Sequence, residues 1–161
     1  MSNQIIEPLI DISTPLVGEN VEDLIQEVIA ELTAVASDLV SGQVGIKISN
    51  DEEVQLLNLQ FRGKDRPTNV LSFPYEPNEL ERKALEAVQA KTYLGDIIIS
   101  ADTVQREAQE QNKSLKEHFQ HLVVHGILHL HGYNHIDEAD ALVMEDLEIQ
   151  ILAKLGIPNP Y

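Results

Sequence analysis

A group of histidines between residues 125 and 135 has the residue types and the spacing to bind a metal ion. His125 and His129 are four residues apart, so on a helix they lie on one face, about one turn from each other. His135 follows Gly132, a residue that readily adopts positive φ and can turn the chain back after a helix. Three imidazoles without a cysteine predict a zinc site with three protein ligands and one open position. A catalytic zinc requires such an open position.

The same spacing occurs in the HExxHxxGxxH motif of zinc proteases, with one difference. Gly126 stands where those proteases carry the glutamate that acts as general base. The chain therefore keeps the metal scaffold and lacks the group that deprotonates water for peptide hydrolysis, which disfavours a protease. A single histidine on a helix is more often structural or solvated, and it is the joint spacing of three that favours a metal site.

The stretch HGILHLHGYNH, residues 125–135, resembles the signature of the YbeY family, bacterial metal-dependent endoribonucleases of rRNA maturation. The stretches FRGKD (61–65), PTNVLSFP (67–74) and LGDIIIS (94–100) are also similar to that family, and the resemblance covers nearly the whole chain. One departure is Asn134, where the family usually has aspartate. Asparagine keeps a side-chain oxygen that can accept a hydrogen bond, but it lacks the negative charge of aspartate. A role of a carboxylate in supporting the metal ligands from this position is therefore in question.

The resemblance implies a zincin-like α+β domain and a zinc-dependent endoribonuclease specific for single-stranded RNA. It implies action in 16S rRNA 3′-end maturation, rRNA processing and ribosome quality control. The expected cofactor is one Zn²⁺ per chain, held by His125, His129 and His135. The expected partners are rRNA and the ribosome or ribosomal proteins.

Arg62 is the candidate catalytic residue outside the histidine group. It lies in a short basic stretch with Lys64, and from the residues alone it reads equally well as a surface arginine beside a turn. Cleavage of a phosphodiester builds negative charge on non-bridging oxygens, and a guanidinium can hold two of them at once. The resemblance favours this role, because the matching family arginine is assigned to the active site. Lys64 is a weaker candidate for phosphate binding.

Composition limits the class of protein. At 161 residues the chain suits one domain, 1–161, and with no cysteine it has neither disulfides nor thiolate metal sites. The N-terminal residues lack the pattern of a signal peptide, and no apolar run approaches the roughly 20 residues of a membrane span, so a cytoplasmic protein without membrane contact is predicted.

The net charge is −16, from 27 acidic and 11 basic residues, which is unusual for a protein that acts on RNA. Either the basic residues cluster at the cleft or a partner delivers the substrate. Composition alone favours a small-molecule hydrolase.

Periodicity predicts the element order βαβαββααα, with a four-stranded mixed sheet and about five helices. The predicted strands cover 9–12, 44–48, 69–73 and 93–99, after a loose arm at 1–8. The predicted helices begin after Asn20, Asn50, Ser114 and Asp137, with another at about 102–112, and the first is expected to end at Gly42. The first three strands are expected to pair in parallel through two crossovers, with the fourth antiparallel to the third. Residues 76–92 are predicted to be a flexible insertion without a fixed fold.

Several further polar residues receive weaker predictions. His118 and His121 are candidates for groups that support the metal site, although solvated side chains are the favoured interpretation on so acidic a chain. His131 is expected to point away from the site. Asn69 and Ser72 are expected at the edge of the cleft, and Asp96 as a hydrogen-bonding residue at a strand end. The last helix is expected to bury Val143, Leu147, Ile151 and Leu155.

Two other functions remain open from the residues. One is a zinc hydrolase of a small phosphoester or amide, which the lack of a basic surface favours. The other is a non-catalytic ribosome-assembly factor with a structural zinc ion.

Overall fold

The computed structural model describes residues 5–161, which form four strands and six helices. The strands are β1 (Ile6–Ile12), β2 (Gly42–Ser49), β3 (Val70–Pro74) and β4 (Tyr93–Ser100). The helices are α1 (Val21–Val35), α2 (Asp51–Arg62), α3 (Glu79–Ala87), α4 (Ala101–Glu110), α5 (Leu115–Leu130) and α6 (Glu138–Lys154). The sheet order is β1-β2-β4-β3, with β3 antiparallel to β4 and the other neighbouring strands parallel. The predicted α+β class and four-stranded mixed sheet are confirmed.

The predicted strand pairing is correct for the first crossover and wrong for the second. β1 and β2 pair in parallel, as expected, and β3 is antiparallel to β4 as expected. However, β4 lies between β2 and β3, so β3 does not extend a parallel series. Ile97 and Ile99 of β4 are completely buried, which suits a central strand. β3 ends in Pro74, which cannot donate a backbone hydrogen bond and is tolerated at a sheet edge.

Two predicted boundaries near the N-terminus need correction. Of the predicted loose arm, residues 1–4 lie outside the described part of the chain, and residues 6–8 belong to β1, where they pair with residues 42–44. α1 ends at Val35, not at Gly42, which begins β2. A Cβ at Gly42 would lie 2.8 Å from the carbonyl oxygen of Thr92 and 2.9 Å from Leu94 Cγ, so a glycine is needed there by close approach and not by a helix end.

The charged segment 76–92 contains α3, a helix that the sequence analysis did not assign. Asn78 caps its N-terminus by accepting a hydrogen bond from the backbone of Glu81, and its side chains are exposed. An exposed helix has no buried apolar stripe, which is why periodicity indicated it only weakly. The flexibility of this segment stays a prediction.

The hydrophobic core lies between one face of the sheet and the helices α1, α5 and α6. An apolar face of α1 is buried, together with two residues that follow the helix. These residues are Val21, Leu24, Ile25, Val28, Ile29, Leu32, Ala36 and Leu39. Among residues 5–161, no helix has the length and apolarity needed to cross a membrane.

The buried face of α6 agrees with the prediction only in part. Ile151 is buried as predicted, Leu147 and Leu155 are partly buried against the core, and Val143 is 58% exposed. Met144, Glu148 and Leu152 are buried and were not predicted to be. A buried glutamate interrupts the apolar stripe, so counting apolar residues alone selected a face that is rotated from the true one. The glutamate at this position belongs to the site described below.

α5 lies unusually close to the sheet. Ten of its residues are buried, and Gly126 is one of them. A Cβ at Gly126 would lie 2.9 Å from Ile97 Cδ1 of β4, closer than real side chains approach. The absence of a side chain at this position therefore sets the distance between the helix and the strand.

Candidate metal centre

His125, His129 and His135 converge on one point, as their spacing predicted. One ring nitrogen of each lies within 4.8 Å of the others. The Nε2 atoms of His125 and His129 are 3.0 Å apart, and the ring of His135 stacks on that of His125 with 4.7 Å between centroids. The first two histidines lie on the last turns of α5, on its cleft side.

A tight reversal after α5 brings His135 back to the other two histidines. Gly132 has a φ of 95°, which glycine adopts without strain, and the backbone N–H of Tyr133 donates to the carbonyl of Leu128 at 3.2 Å. Asn134 Oδ1 then accepts from the backbone N–H of Ile136 at 3.0 Å. The asparagine that departs from the family pattern therefore still supplies the acceptor that this turn uses, and a backbone donor requires no charge.

Glu148 is the residue of this site that the sequence analysis missed. It is 0% exposed, and its Oε1 lies 2.6 Å from His125 Nδ1. Its Oε2 lies 3.0 Å from His121 Nε2 and accepts a hydrogen bond from the hydroxyl of Tyr161. The sequence did contain a signal for this role, since Glu148 falls within the apolar periodicity of α6. A carboxylate at a buried position requires hydrogen-bonding partners.

The electrostatics of the site favour a neutral imidazole at His129. Burial lowers the pKa of His129 to about 4, and the neighbouring His125 and His135 add to this effect. Burial alone would raise the pKa of Glu148, but hydrogen bonds from His121, His125 and Tyr161 outweigh it and lower that pKa to about 2. Burial and the Glu148 carboxylate raise the pKa of Tyr161.

These features fit a divalent metal ion. Histidine ligands bind metal in their neutral form, which is the form that the environment of His129 favours. Because an ionised Glu148 only accepts hydrogen bonds, His125 donates from Nδ1, and its Nε2 lone pair faces His129. Three imidazole nitrogens form a donor set that zinc accepts with bonds of about 2.0–2.1 Å.

The other histidines of α5 take different places. His118 is buried and its Nε2 lies 2.9 Å from Glu107 Oε1, so the favoured interpretation of a solvated side chain is wrong for it. It is also wrong for His121, whose side chain is 15% exposed and paired with Glu148. His131 is outside the histidine group, as predicted, with its ring nitrogens near the backbone carbonyls of Ile127 and Val40.

The three histidines open into a cleft of about 570 Å³, here called the histidine cleft. It is lined by Arg62, Thr68, Asn69, Val70, Leu71, Ser72, Pro74, His125, His129, Asn134, His135 and Ile136. Arg62 is the last residue of α2, which ends there because Gly63 adopts a left-handed conformation with φ 69°. The predicted cleft positions of Asn69 and Ser72 are confirmed. Lys64 is not among the described lining residues, and none of those residues is acidic.

A second cleft of about 550 Å³, here called the sheet cleft, lies beside the strands. Its walls include the apolar side chains of Leu9, Leu57, Phe61, Phe73, Ile97 and Ile98 and the charged side chains of Asp11, Lys47 and Asp96. Asp96 accepts a hydrogen bond from the Tyr93 hydroxyl, and burial together with Asp96 raises the pKa of Tyr93 to about 12. Ser72 lines one cleft and Phe73 the other, because successive side chains of a strand face opposite sides of the sheet.

Comparison with known proteins finds a matching family, similar sequences and a similar solved structure. The family described as Endoribonuclease YbeY matches residues 10–156. A protein named Endoribonuclease YbeY from Francisella philomiragia is 44% identical over 140 residues, which are 87% of this chain and 85% of that protein. One of the same name from Alcanivorax borkumensis is 50% identical over 129 residues, 80% of this chain and 71% of that protein. The solution structure of TM1509 from Thermotoga maritima has a TM-score of 0.57, 25% sequence identity and 92% coverage of both chains.

Proposed function

This chain belongs to the YbeY endoribonuclease family, and from that premise we propose that it cleaves single-stranded rRNA with a zinc ion held by His125, His129 and His135. It is an enzyme of the nuclease class, a hydrolase of RNA phosphodiester bonds. The proposed process is 16S rRNA 3′-end maturation within rRNA processing and ribosome quality control. The proposed compartment is the cytoplasm, with the ribosome or its proteins as partners.

The observation that carries this proposal is the charge of the histidine cleft. The chain has a net charge of −16, yet the described residues that line this cleft include one arginine, three histidines and no carboxylate. The anionic backbone of RNA is repelled by much of the surface of a protein with this net charge. In the histidine cleft it meets no acidic side chain among the described lining residues. The cleft therefore suits an anionic substrate, but Arg62 is the one arginine or lysine among its described lining residues, so the cluster of basic residues that composition called for is not found there.

Each part of the cleft has a role in phosphodiester cleavage. A zinc ion, when bound, supplies the Lewis acid that makes a water molecule acidic enough to attack near neutral pH. Arg62 lies on the same cleft and can hold two non-bridging phosphate oxygens as negative charge builds up on them. Thr68, Asn69 and Ser72 supply polar side chains along the edge for the sugar and phosphate groups.

The shape of the cleft supports a single-stranded substrate. It has a volume of about 570 Å³ and lies between α2, β3 and the turn after α5. The bases of a single strand can be splayed apart and enter such a space, whereas those of a duplex are held in the stack. The geometry therefore supports the proposed preference for unpaired RNA.

RNA cleavage by the pure protein tests the proposal. The zinc content is measured first, and then a labelled single-stranded RNA and the same strand in a duplex are incubated with the protein, with and without a chelator. We expect cleavage of the single strand that the chelator abolishes and added zinc restores. Turnover of a chromogenic phosphoester with intact RNA would favour the small-molecule hydrolase instead. Zinc binding without either reaction would favour the non-catalytic assembly factor.

A further inference from the structure

We propose that Glu148 and Tyr161 are positioning residues that orient His125 toward the metal ion. This inference rests on the proposed histidine ligands, and it goes beyond them because neither residue touches the metal position. A continuous series of hydrogen bonds runs from Tyr161 through the Glu148 carboxylate to His125.

Glu148 has no freedom to take another conformation. Its side chain is 0% exposed and its two oxygens accept from three donors: His125 Nδ1 at 2.6 Å, His121 Nε2 at 3.0 Å and the Tyr161 hydroxyl. The loss of one of these donors would leave the charge of the buried carboxylate less well compensated, which is unfavourable. The α6 backbone and the three donors therefore hold Oε1 in place against His125.

A fixed Oε1 determines which nitrogen of His125 faces the cleft. The carboxylate accepts hydrogen bonds only, so the proton of a neutral His125 lies on Nδ1 and the lone pair on Nε2. Nε2 is the atom that lies 3.0 Å from His129 Nε2, inside the histidine group. A carboxylate that accepts from the distal nitrogen of a metal-binding histidine fixes its ring orientation and raises its basicity.

Tyr161 extends the same network to the end of the chain. Its ring contacts His121 edge to face, with 5.8 Å between centroids, and its hydroxyl reaches Glu148. The residue itself is 57% exposed, so the loss of its hydroxyl opens no cavity in the core. The variant Tyr161→Phe therefore removes one donor to Glu148 and leaves packing largely unchanged.

A second glutamate–histidine pair, whose histidine also lies on α5, supplies the control. Glu107 of α4 places its Oε1 2.9 Å from Nε2 of the buried His118, and neither residue contacts the three histidines through the hydrogen bonds described for residues 5–161. Glu107→Gln removes the same charge from a histidine partner as Glu148→Gln, although the side chain of Glu107 is 27% exposed and that of Glu148 is fully buried. If the glutamates that pair with α5 histidines act only on folding, neither variant should weaken zinc binding more than the other once both are folded.

Zinc affinity, measured by competition with a chromogenic chelator in the absence of RNA, tests the inference. We expect Glu148→Gln to weaken zinc binding by about 10–100-fold. Tyr161→Phe should weaken it in the same direction by less, and Glu107→Gln should leave it unchanged. Each variant is checked for folding by circular dichroism and thermal melting in the metal-free state. Imidazole ¹⁵N shifts of the metal-free wild type should show His125 protonated on Nδ1.

Wild-type zinc affinity in folded Glu148→Gln overturns the inference, and so does an equal loss in Glu107→Gln. If Glu148→Gln does not fold, Tyr161→Phe decides instead, and unchanged affinity there overturns it. The measurement contains no RNA, so an affinity loss supports these roles even if the protein cleaves no RNA. Failure of the proposed function and failure of this inference are therefore separate results.

Discussion

The histidine cleft and the sheet cleft have almost the same volume, about 570 and 550 Å³, and very different chemistry. The sheet cleft has an apolar floor with Asp11 and Asp96 among its walls, and Lys47 is paired with Glu53 at 2.9 Å. The histidine cleft has Arg62, the three imidazoles and no carboxylate among its described lining residues. The two volumes therefore favour neither cleft as the reaction site, whereas the distribution of charge and of lone pairs favours the histidine cleft.

The largest effect is expected at the metal ligands. His129→Ala should lose stoichiometric zinc and RNA cleavage together, because two imidazoles no longer suffice for a site of this type. His131→Ala, two residues further along the chain and outside the histidine group, should keep both. Elemental analysis and a cleavage assay measure the two outcomes. Full zinc content in His129→Ala would remove the histidine cleft as the metal centre.

Arg62 lines the histidine cleft and is not among the described lining residues of the sheet cleft, so its substitution tests which cleft takes part in catalysis. Arg62→Ala should lower turnover by about 10²–10³-fold with little change in zinc content, the usual effect of losing one donor to developing charge. Arg62→Lys should also be impaired, because an ammonium cannot reproduce the bidentate fork. Lys47→Ala removes a cation from the sheet cleft and is the matched control, expected to retain activity. Equal losses in Arg62→Ala and Lys47→Ala would show a general charge effect.

The pH dependence of the metal-free protein tests the burial of the histidine cleft. The pKa of His129 is about 4 in the folded protein and 6.5 ordinarily, so between these values the unfolded chain binds a proton that the folded chain does not. The free energy of unfolding should therefore fall as the pH decreases from about 6.5 to about 4. Glu148, lowered from 4.5 to about 2, should extend the fall below pH 4.5.

Denaturant unfolding of chelated protein at several pH values measures this dependence. His129→Gln removes the titrating group and should flatten the upper part of the curve, whereas His131→Ala should keep it. A wild-type curve that is flat between pH 6.5 and 4 would contradict the burial of His129.

The smallest effect is expected in the sheet cleft. Tyr93→Phe removes the hydroxyl that donates to Asp96, and the exposed carboxylate can bond to water in its place. The free energy of unfolding should fall by about 1 kcal/mol, the net value of a typical hydrogen bond. Zinc content and RNA cleavage should be unchanged. A loss of cleavage in this variant would show that the sheet cleft also takes part in the reaction.

Spacing alone predicted the convergence of His125, His129 and His135, because helix geometry and a glycine turn determine it locally. The position of Arg62 beside them was expected from the family resemblance, since no local pattern joins residue 62 to residue 125. Glu148 was missed because its partners come from α5 and from Tyr161, and a periodicity count treats a carboxylate as solvent-facing. The strand order was partly missed because it too depends on contacts between distant segments. β2 and β4 pair although they are about 50 residues apart in the sequence.

The contact between Gly126 and Ile97 limits how this scaffold can change its chemistry. Zinc proteases carry their general base at the position of Gly126. Here even a Cβ would lie 2.9 Å from Ile97 Cδ1, so Gly126→Glu would force α5 away from β4 and displace the neighbouring His125. The single substitution Gly126→Glu is therefore not expected to give this protein peptide-hydrolase activity. The helix would first need space, for example from Ile97→Ala, and the cavity that this leaves would itself destabilise the core.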